Sequence, residues 1–140
     1  MVQIIKNIIM KNKYFFEIAM IVRQKKPNIS IHRSVQLVID GYPRSGNTYL
    51  RSLTNALYPT INIESHFHNK WAIGRAINKN IPIIIVKRNP EECISSYFLK
   101  GDFEYGELKS IAYQYIDYYK FVNKYKRSIC LIDSDEIFLN

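Results

Sequence analysis

The sequence has few of the residues that build disulfide-linked or metal-binding proteins. Its two cysteines, Cys93 and Cys130, lie far apart and form neither a CxxC pair nor a metal-ligand spacing with the three histidines. We therefore expect both to be reduced, mostly buried thiols, and we expect no metal ion. Reduced thiols fit a reducing compartment, which favours a cytoplasmic location.

Long apolar runs are also absent. Charged residues, among them Lys6, Lys11, Lys13 and Glu17, interrupt the N-terminal stretch over residues 3–23, so it falls short of the ~20 apolar residues that a transmembrane helix needs. It has no signal-peptide pattern either. Apolar residues recur in it at helical spacing, which predicts an N-terminal helix within residues 1–30. Peripheral contact of this helix with a membrane surface is the alternative.

Basic residues outnumber acidic ones. The chain has 20 Lys+Arg against 12 Asp+Glu, a formal net charge of +8. Such an excess favours an anionic partner, but it does not choose among a nucleotide, a nucleic acid and an acidic membrane surface. The sequence has no RNP motif, no zinc-finger spacing and no concentrated basic run, so we expect no nucleic-acid partner.

The pattern of apolar residues predicts an α/β fold. The chain has 140 residues, 47% of them hydrophobic, which suits one compact domain with its core over residues 35–138. Strands are predicted over 35–39, 61–64, 82–87 and 129–132, and helices over 47–57, 71–78, about 90–99 and 107–125. Their alternation indicates a mostly parallel sheet flanked by helices. The last helix is crowded with tyrosines, which we expect to pack in the core: Tyr115, Tyr118, Tyr119 and Tyr125.

The first candidate site follows the first predicted strand and opens a helix. It reads Tyr42-Pro43-Arg44-Ser45-Gly46-Asn47-Thr48-Tyr49. The N-terminus of a helix offers unpaired backbone N–H groups to a phosphate, and Gly46 lets the backbone approach it closely. Neither GxxxxGK[ST] nor GxGxxG is present, which disfavours a nucleoside-triphosphate hydrolase. The alternative is an ordinary strand-to-helix turn.

The second candidate site repeats this arrangement. Arg88 follows the strand over 82–87, and Ser95 and Ser96 lie on the helix behind it. In a parallel sheet, Arg88 lies at the same edge as Arg44, where it can bind a phosphate together with a serine hydroxyl. The alternative is that Arg88 pairs with a surface carboxylate such as Glu91.

Together the two segments resemble the sulfotransferases that use 3′-phosphoadenosine 5′-phosphosulfate (PAPS). The 5′-phosphosulfate loop of that family has the form [Y]P[KR]SG[TN]T and then an aromatic residue, as in the segment from Tyr42 to Tyr49. Its 3′-phosphate element has a form close to RNPxDxxxSxY, matched here by Arg88-Asn89-Pro90, Glu92, Ser96 and Phe98. The resemblance covers about residues 35–138.

The resemblance implies a P-loop-like sulfotransferase fold, PAPS as co-substrate, and transfer of its sulfuryl group to a hydroxyl or amine acceptor. It assigns to the nucleotide two groups of residues, the first at the phosphosulfate end and the second at the 3′-phosphate: Arg44, Ser45, Gly46, Asn47, Thr48 and Tyr49, then Arg88 and Ser96. Arg44 is also expected to stabilise the charge of the transferred group.

The family places a catalytic histidine at a strand end between the two motifs, often as KTH. His66, 22 residues before Arg88, is our candidate for that base, and His68 is the competitor. Two positions depart from the family pattern. Glu64 replaces the lysine of KTH, and Arg44 stands where the family often has lysine.

The family closes its nucleotide pocket with a later RKGxxGDW-type segment that this sequence does not contain. We therefore expect the C-terminal part of the family fold to be missing. Two alternatives to an active sulfotransferase stay open, a non-catalytic nucleotide-binding fragment and a nucleotide kinase-like P-loop protein.

Overall fold

Four parallel strands form one sheet in the computed structural model, which describes residues 34–101 and 103–138. The strands are β1 (Leu37–Gly41), β2 (Ile63–Ser65), β3 (Ile83–Lys87) and β4 (Cys130–Asp133), in the spatial order β2-β1-β3-β4. Each neighbouring pair is parallel. The predicted α/β class with a mostly parallel sheet is therefore confirmed.

Helices connect the strands and flank the sheet. They are α1 (Asn47–Leu57), α2 (Lys70–Asn78), α3 (Pro90–Lys100), α4 (Leu108–Lys124) and α5 (Ser134–Phe138), with a 3₁₀ turn at Tyr105–Glu107. The predicted bounds of α1 are confirmed, whereas β1 begins two residues later than predicted and continues to Gly41. The helix predicted near the N-terminus lies outside the described residues.

Helix α3 shows how local sequence sets an element boundary. Asn89 caps the helix, and its side-chain oxygen accepts the backbone N–H groups of Glu91 and Glu92 at 2.9 and 3.4 Å. Pro90 occupies the first helical position, where the absence of an N–H costs nothing. The two glutamates in the first turn complement the positive end of the helix dipole. These features fix the point at which the chain leaves β3 and turns into α3.

The core lies between the central strands and the helices. Val38 and Ile39 of β1 and Ile85 and Val86 of β3 are completely buried, as β-branched residues of central parallel strands usually are. The tyrosines of α4 pack partly as predicted. Tyr115 and Tyr118 are buried, Tyr119 and Tyr125 are half-buried, and Tyr113 is exposed.

The expectation of two buried thiols is half wrong. Both cysteines are free, but only Cys93 is buried. Its Sγ donates a hydrogen bond to the carbonyl oxygen of Pro43 at 3.0 Å. Cys130 is exposed, because it begins β4, a strand at one edge of the described sheet.

The order of the strands reverses at β1. The chain runs from β1 to β2 on one side and returns to β3 on the other, so the loops that follow β1 and β3 lead to connections on opposite sides. A reversal of this kind opens a crevice at the carboxyl ends of the strands, where ligands of α/β proteins bind. Among the described helices, none combines the length and the apolar character that crossing a membrane requires.

Candidate anion-binding site

A cleft of about 570 Å³ lies at the carboxyl ends of β1 and β3. The sequence-predicted site residues all line it except Ser45 and Ser96. The lining comes from the loop after β1 and the first turn of α1, from the two histidines after β2, and from the segment between Arg88 and the loop after α3: Pro43, Arg44, Gly46, Asn47, Thr48, Tyr49, His66, His68, Arg88, Tyr97, Lys100, Gly101 and Phe103.

The loop after β1 presents the N-terminus of α1 to this cleft. Gly46 caps the helix in the left-handed region, with φ of 101°, a conformation that glycine adopts without steric cost. In the described structure, no side chain caps this helix and its first turn has no acidic residue. Its terminal N–H groups and the positive end of its dipole therefore suit an anion.

The side chains of this loop divide into two groups. Arg44, Thr48 and Tyr49 are exposed, whereas Ser45 and Asn47 are buried. The Ser45 hydroxyl donates to the carbonyl oxygen of Tyr42 at 2.7 Å, and the Asn47 amide donates to that of Gly41 at 3.2 Å. Ser45 and Asn47 thus shape the loop from within, and Arg44 and Thr48 supply the polar groups on its surface.

Two arginine contacts tie this loop to the segment after β3. Arg88 donates from Nη1 to the carbonyl oxygen of Arg44 at 3.2 Å, and Arg44 donates from Nε to the Ser96 hydroxyl at 3.0 Å. The two motifs predicted from sequence therefore meet. Ser96 contacts Arg44, although the sequence had grouped it with Arg88.

Arg88 also forms an ion pair, with Glu92. The carboxylate of Glu92 accepts from Nε at 3.0 Å and lies 2.9 Å from Nη2. The pairing with a surface carboxylate considered from sequence therefore occurs, but with Glu92 in the first turn of α3 and not with Glu91. Because both partners are substantially exposed, this pair adds little stability. It orients the guanidinium toward the first loop.

Tyrosine hydroxyls of α4 hold both loops from behind. Tyr115 donates to the carbonyl oxygen of Arg88 at 2.7 Å, and Tyr119 donates to that of Val86 at 2.8 Å. The Tyr119 hydroxyl also lies 3.2 Å from the hydroxyl of Ser45. The sequence indicated only that these rings pack in the core. Nothing in their spacing showed that the two hydroxyls would reach backbone carbonyls at the carboxyl end of β3.

Replacing Tyr119 with phenylalanine is expected to lower the free energy of unfolding by about 1–2 kcal/mol, because it removes a hydroxyl bonded inside the protein and keeps the ring. Urea denaturation measures the effect. Tyr113→Phe is the matched control, since the Tyr113 side chain is 62% exposed on the same helix, and it should change stability by less than about 0.5 kcal/mol. Equal effects of the two substitutions would contradict a specific role for the Tyr119 hydroxyl.

Two histidines follow β2, both in the left-handed region, with φ of 65° at His66 and 48° at His68. His66 contacts a hydroxyl at each ring nitrogen, Thr48 Oγ1 at 2.9 Å from Nε2 and Ser65 Oγ at 2.6 Å from Nδ1. Burial, and then the positive charge of Arg51, lower the pKa of His66. The ring is therefore neutral at physiological pH, as a general base requires.

His68 is more deeply buried than His66. Its Nδ1 donates to the carbonyl oxygen of Gly41 at 2.7 Å, and its backbone N–H donates to Asp40 Oδ2 at 2.9 Å. Burial is the main cause that lowers the pKa of His68. Position 41 has no room for a side chain, because a Cβ there would collide with the carbonyl oxygen of Val86 and the side chain of Asn47.

Sequence reasoning missed Asp40. This carboxyl group lies in β1 and has no exposed surface, and burial raises its pKa to about 7. The Tyr118 hydroxyl faces it from α4. The sequence did contain a signal for it, because an aspartate directly after the apolar run from Leu37 to Ile39 is costly to bury unless it has a function or a partner.

The site combines an uncapped helix N-terminus with two arginines at the crevice of a parallel sheet, an arrangement that suits an anion. Within residues 34–101 and 103–138, no three His, Cys, Asp or Glu side chains converge as a metal site needs. The fold and the site define the chain as an α/β protein with a cleft at the carboxyl ends of its strands, lined by groups that suit an anion. No family model matches this chain, and a comparison with curated proteins found no match either.

Proposed function

We propose that this protein binds PAPS in the cleft and transfers its sulfuryl group to a hydroxyl or amine acceptor, and that its sheet is the nucleotide-binding core of a P-loop-like sulfotransferase fold. One observation carries the proposal. The two loops that resemble the sulfotransferase motifs meet at the crevice between β1 and β3, where Arg88 donates to the Arg44 carbonyl oxygen and Arg44 donates to Ser96.

The cleft offers different groups to the two ends of the nucleotide. At the 5′-phosphosulfate, the N-terminus of α1 supplies backbone N–H groups from Gly46 to Thr48, and Arg44 supplies a planar, permanent positive charge. At the 3′-phosphate, Arg88 supplies charge-assisted hydrogen bonds. Ser96, which does not line the cleft, contributes through its contact with Arg44. Tyr49, which is about half exposed on the cleft wall, offers an aromatic surface to the nucleotide.

The proposed reaction is an in-line displacement at sulfur. A histidine after β2 takes the proton of the acceptor, whose oxygen or nitrogen forms the new bond to sulfur as the bond to the 5′-phosphate breaks. Arg44 and the N-terminus of α1 stabilise the charge on the leaving phosphate. Catalysis then comes mostly from positioning and fixed charges, as in phosphoryl transfer. The sequence favours His66 as the base.

The proposal predicts selective stabilisation by 3′-phosphoadenosine 5′-phosphate (PAP), the product nucleotide. At a concentration a hundred times its dissociation constant, PAP is expected to stabilise the folded protein by about 2.7 kcal/mol. AMP, which lacks only the 3′-phosphate, should bind more weakly because Arg88 then has no ligand group to contact. A thermal-shift titration with PAP, AMP and ATP on the folded protein measures this.

Each other outcome of the titration points elsewhere. A larger shift with ATP than with PAP would favour the nucleotide kinase-like alternative. No shift with any of the three nucleotides would reject nucleotide binding by this chain. A selective PAP shift without turnover of PAPS would identify a non-catalytic nucleotide-binding domain.

A further inference from the structure

A buried carboxyl group orients one of the two cleft histidines. Asp40 accepts the backbone N–H of His68 at 2.9 Å, and its other oxygen lies 3.5 Å from His68 Nδ1. The same nitrogen lies 2.7 Å from the carbonyl oxygen of Gly41. Because a carbonyl oxygen can only accept, Nδ1 must carry a hydrogen.

This orientation fixes the tautomer of His68. A neutral imidazole carries one N–H, so the hydrogen on Nδ1 leaves the lone pair on Nε2. His68 lines the cleft, and no residue of the described chain is hydrogen-bonded to its Nε2. His66, in contrast, has a hydroxyl within hydrogen-bond distance of each ring nitrogen, from Thr48 and from Ser65.

We infer that His68, positioned by Asp40, is the base that takes the proton of the sulfuryl acceptor, and that His66 instead positions Thr48 in the anion-binding loop. This inference rests on the proposed function and reverses the choice between the two histidines that the sequence favoured. His68 Nε2 takes the acceptor proton as the acceptor oxygen bonds to sulfur. The S–O bond to the 5′-phosphate breaks, and PAP leaves with that electron pair.

The surroundings of His68 suit this role. His66 lies beside it, with 5.7 Å between the ring centroids, and the positive charge of Arg51 in α1 lowers the pKa of His66. The Tyr118 hydroxyl of α4 faces Asp40. The lowered pKa of His68 keeps its ring neutral and ready to accept a proton at pH 7. When the ring takes that proton, the Asp40 carboxyl group, 3.5 Å from Nδ1, stabilises the imidazolium in its ionised form.

The orientation of His68 can be tested without any nucleotide. Nitrogen-15 NMR of the imidazole rings at pH 8 should show the His68 proton on Nδ1, with His66→Gln and His68→Gln serving to assign the signals. Asp40→Asn should lower the pH at which His68 takes up a proton, because no carboxylate then faces the imidazolium. A proton on Nε2, or a titration unchanged by Asp40→Asn, would overturn the positioning role of Asp40.

The base role is tested by turnover of PAPS with water as the acceptor, which requires no identified natural acceptor. His68→Gln should bind PAP within about threefold of wild type but form PAP from PAPS at least about 100-fold more slowly. His66→Gln should keep more than a tenth of the wild-type rate. The reverse ranking, or no PAP formation by wild type, would overturn the base role. Failure of wild type to bind PAP would instead reject the proposed function itself.

Discussion

Replacing Arg88 with alanine is expected to weaken PAP binding about 10- to 150-fold and to leave AMP binding nearly unchanged. Arg88 lines the cleft and, under the proposed function, faces the 3′-phosphate that AMP lacks. A hydrogen bond to a charged group contributes about 1.5–3 kcal/mol, which corresponds to that range of affinity. Isothermal titration calorimetry with both nucleotides on wild type and variant measures the difference.

Two further variants separate a direct phosphate contact from other effects. Arg127→Ala removes the same charge from an exposed position after α4 and should leave the affinity for PAP within about twofold. Glu92→Gln neutralises the carboxylate that Arg88 contacts at 2.9 Å and should strengthen PAP binding, because Arg88 then no longer has to exchange a carboxylate for the phosphate. An equal loss of PAP and AMP affinity in Arg88→Ala would show that Arg88 acts only by holding the Arg44 carbonyl.

Replacing Asp40 with asparagine is expected to stabilise the protein, and more so at high pH. Burial raises the pKa of Asp40 from 3.8 to about 7, so between these values the folded protein holds a proton that the unfolded chain has released. The free energy of unfolding therefore falls as pH rises from about 4 to about 7. At ~1.36 kcal/mol per pH unit, the penalty above pH 7 is at most about 4 kcal/mol. Asparagine is neutral and nearly isosteric, and its oxygen can still accept the His68 N–H.

Urea denaturation of both proteins at pH 5 and pH 8 tests this expectation. The stability gained by Asp40→Asn should be about 2–3 kcal/mol larger at pH 8 than at pH 5, because most of the penalty accumulates between these values. Asp117→Asn is the control, since that carboxylate is 61% exposed in an ion pair with Lys70 and should contribute less than about 1 kcal/mol at either pH. A gain that is independent of pH would mean that Asp40 does not titrate in this range.

A function would explain why an ionisable residue with this cost occupies a strand. Strand β1 is otherwise apolar, with Val38 and Ile39 completely buried beside Asp40. If Asp40 positions His68, this aspartate lowers the stability of the fold and promotes proton transfer, a combination that is common at active sites. Under that hypothesis, Asp40→Asn is the more stable and less active protein.

The sequence by itself determined the fold class and the places where the two loops begin. Strong local signals specify these features, such as Pro90 at the first position of α3, Gly46 at the N-terminus of α1 and the β-branched run in β3. Each depends on residues that are adjacent in the chain, so propensity and capping suffice to predict it. The expectation that Arg44 and Arg88 share one edge also followed from sequence, because parallel strands place their carboxyl ends together.

Only the tertiary structure decided which side chains meet within that edge. Arg44 donates a hydrogen bond to Ser96, and Arg88 pairs with Glu92. The hydroxyls of Tyr115 and Tyr119 both reach carbonyl oxygens at the carboxyl end of β3. The parallel pairing of β1 with β2 also places His68 in contact with Asp40, which lies 28 positions earlier in the chain. Such contacts depend on strand register and helix rotation over tens of residues, for which a single sequence contains no local signal.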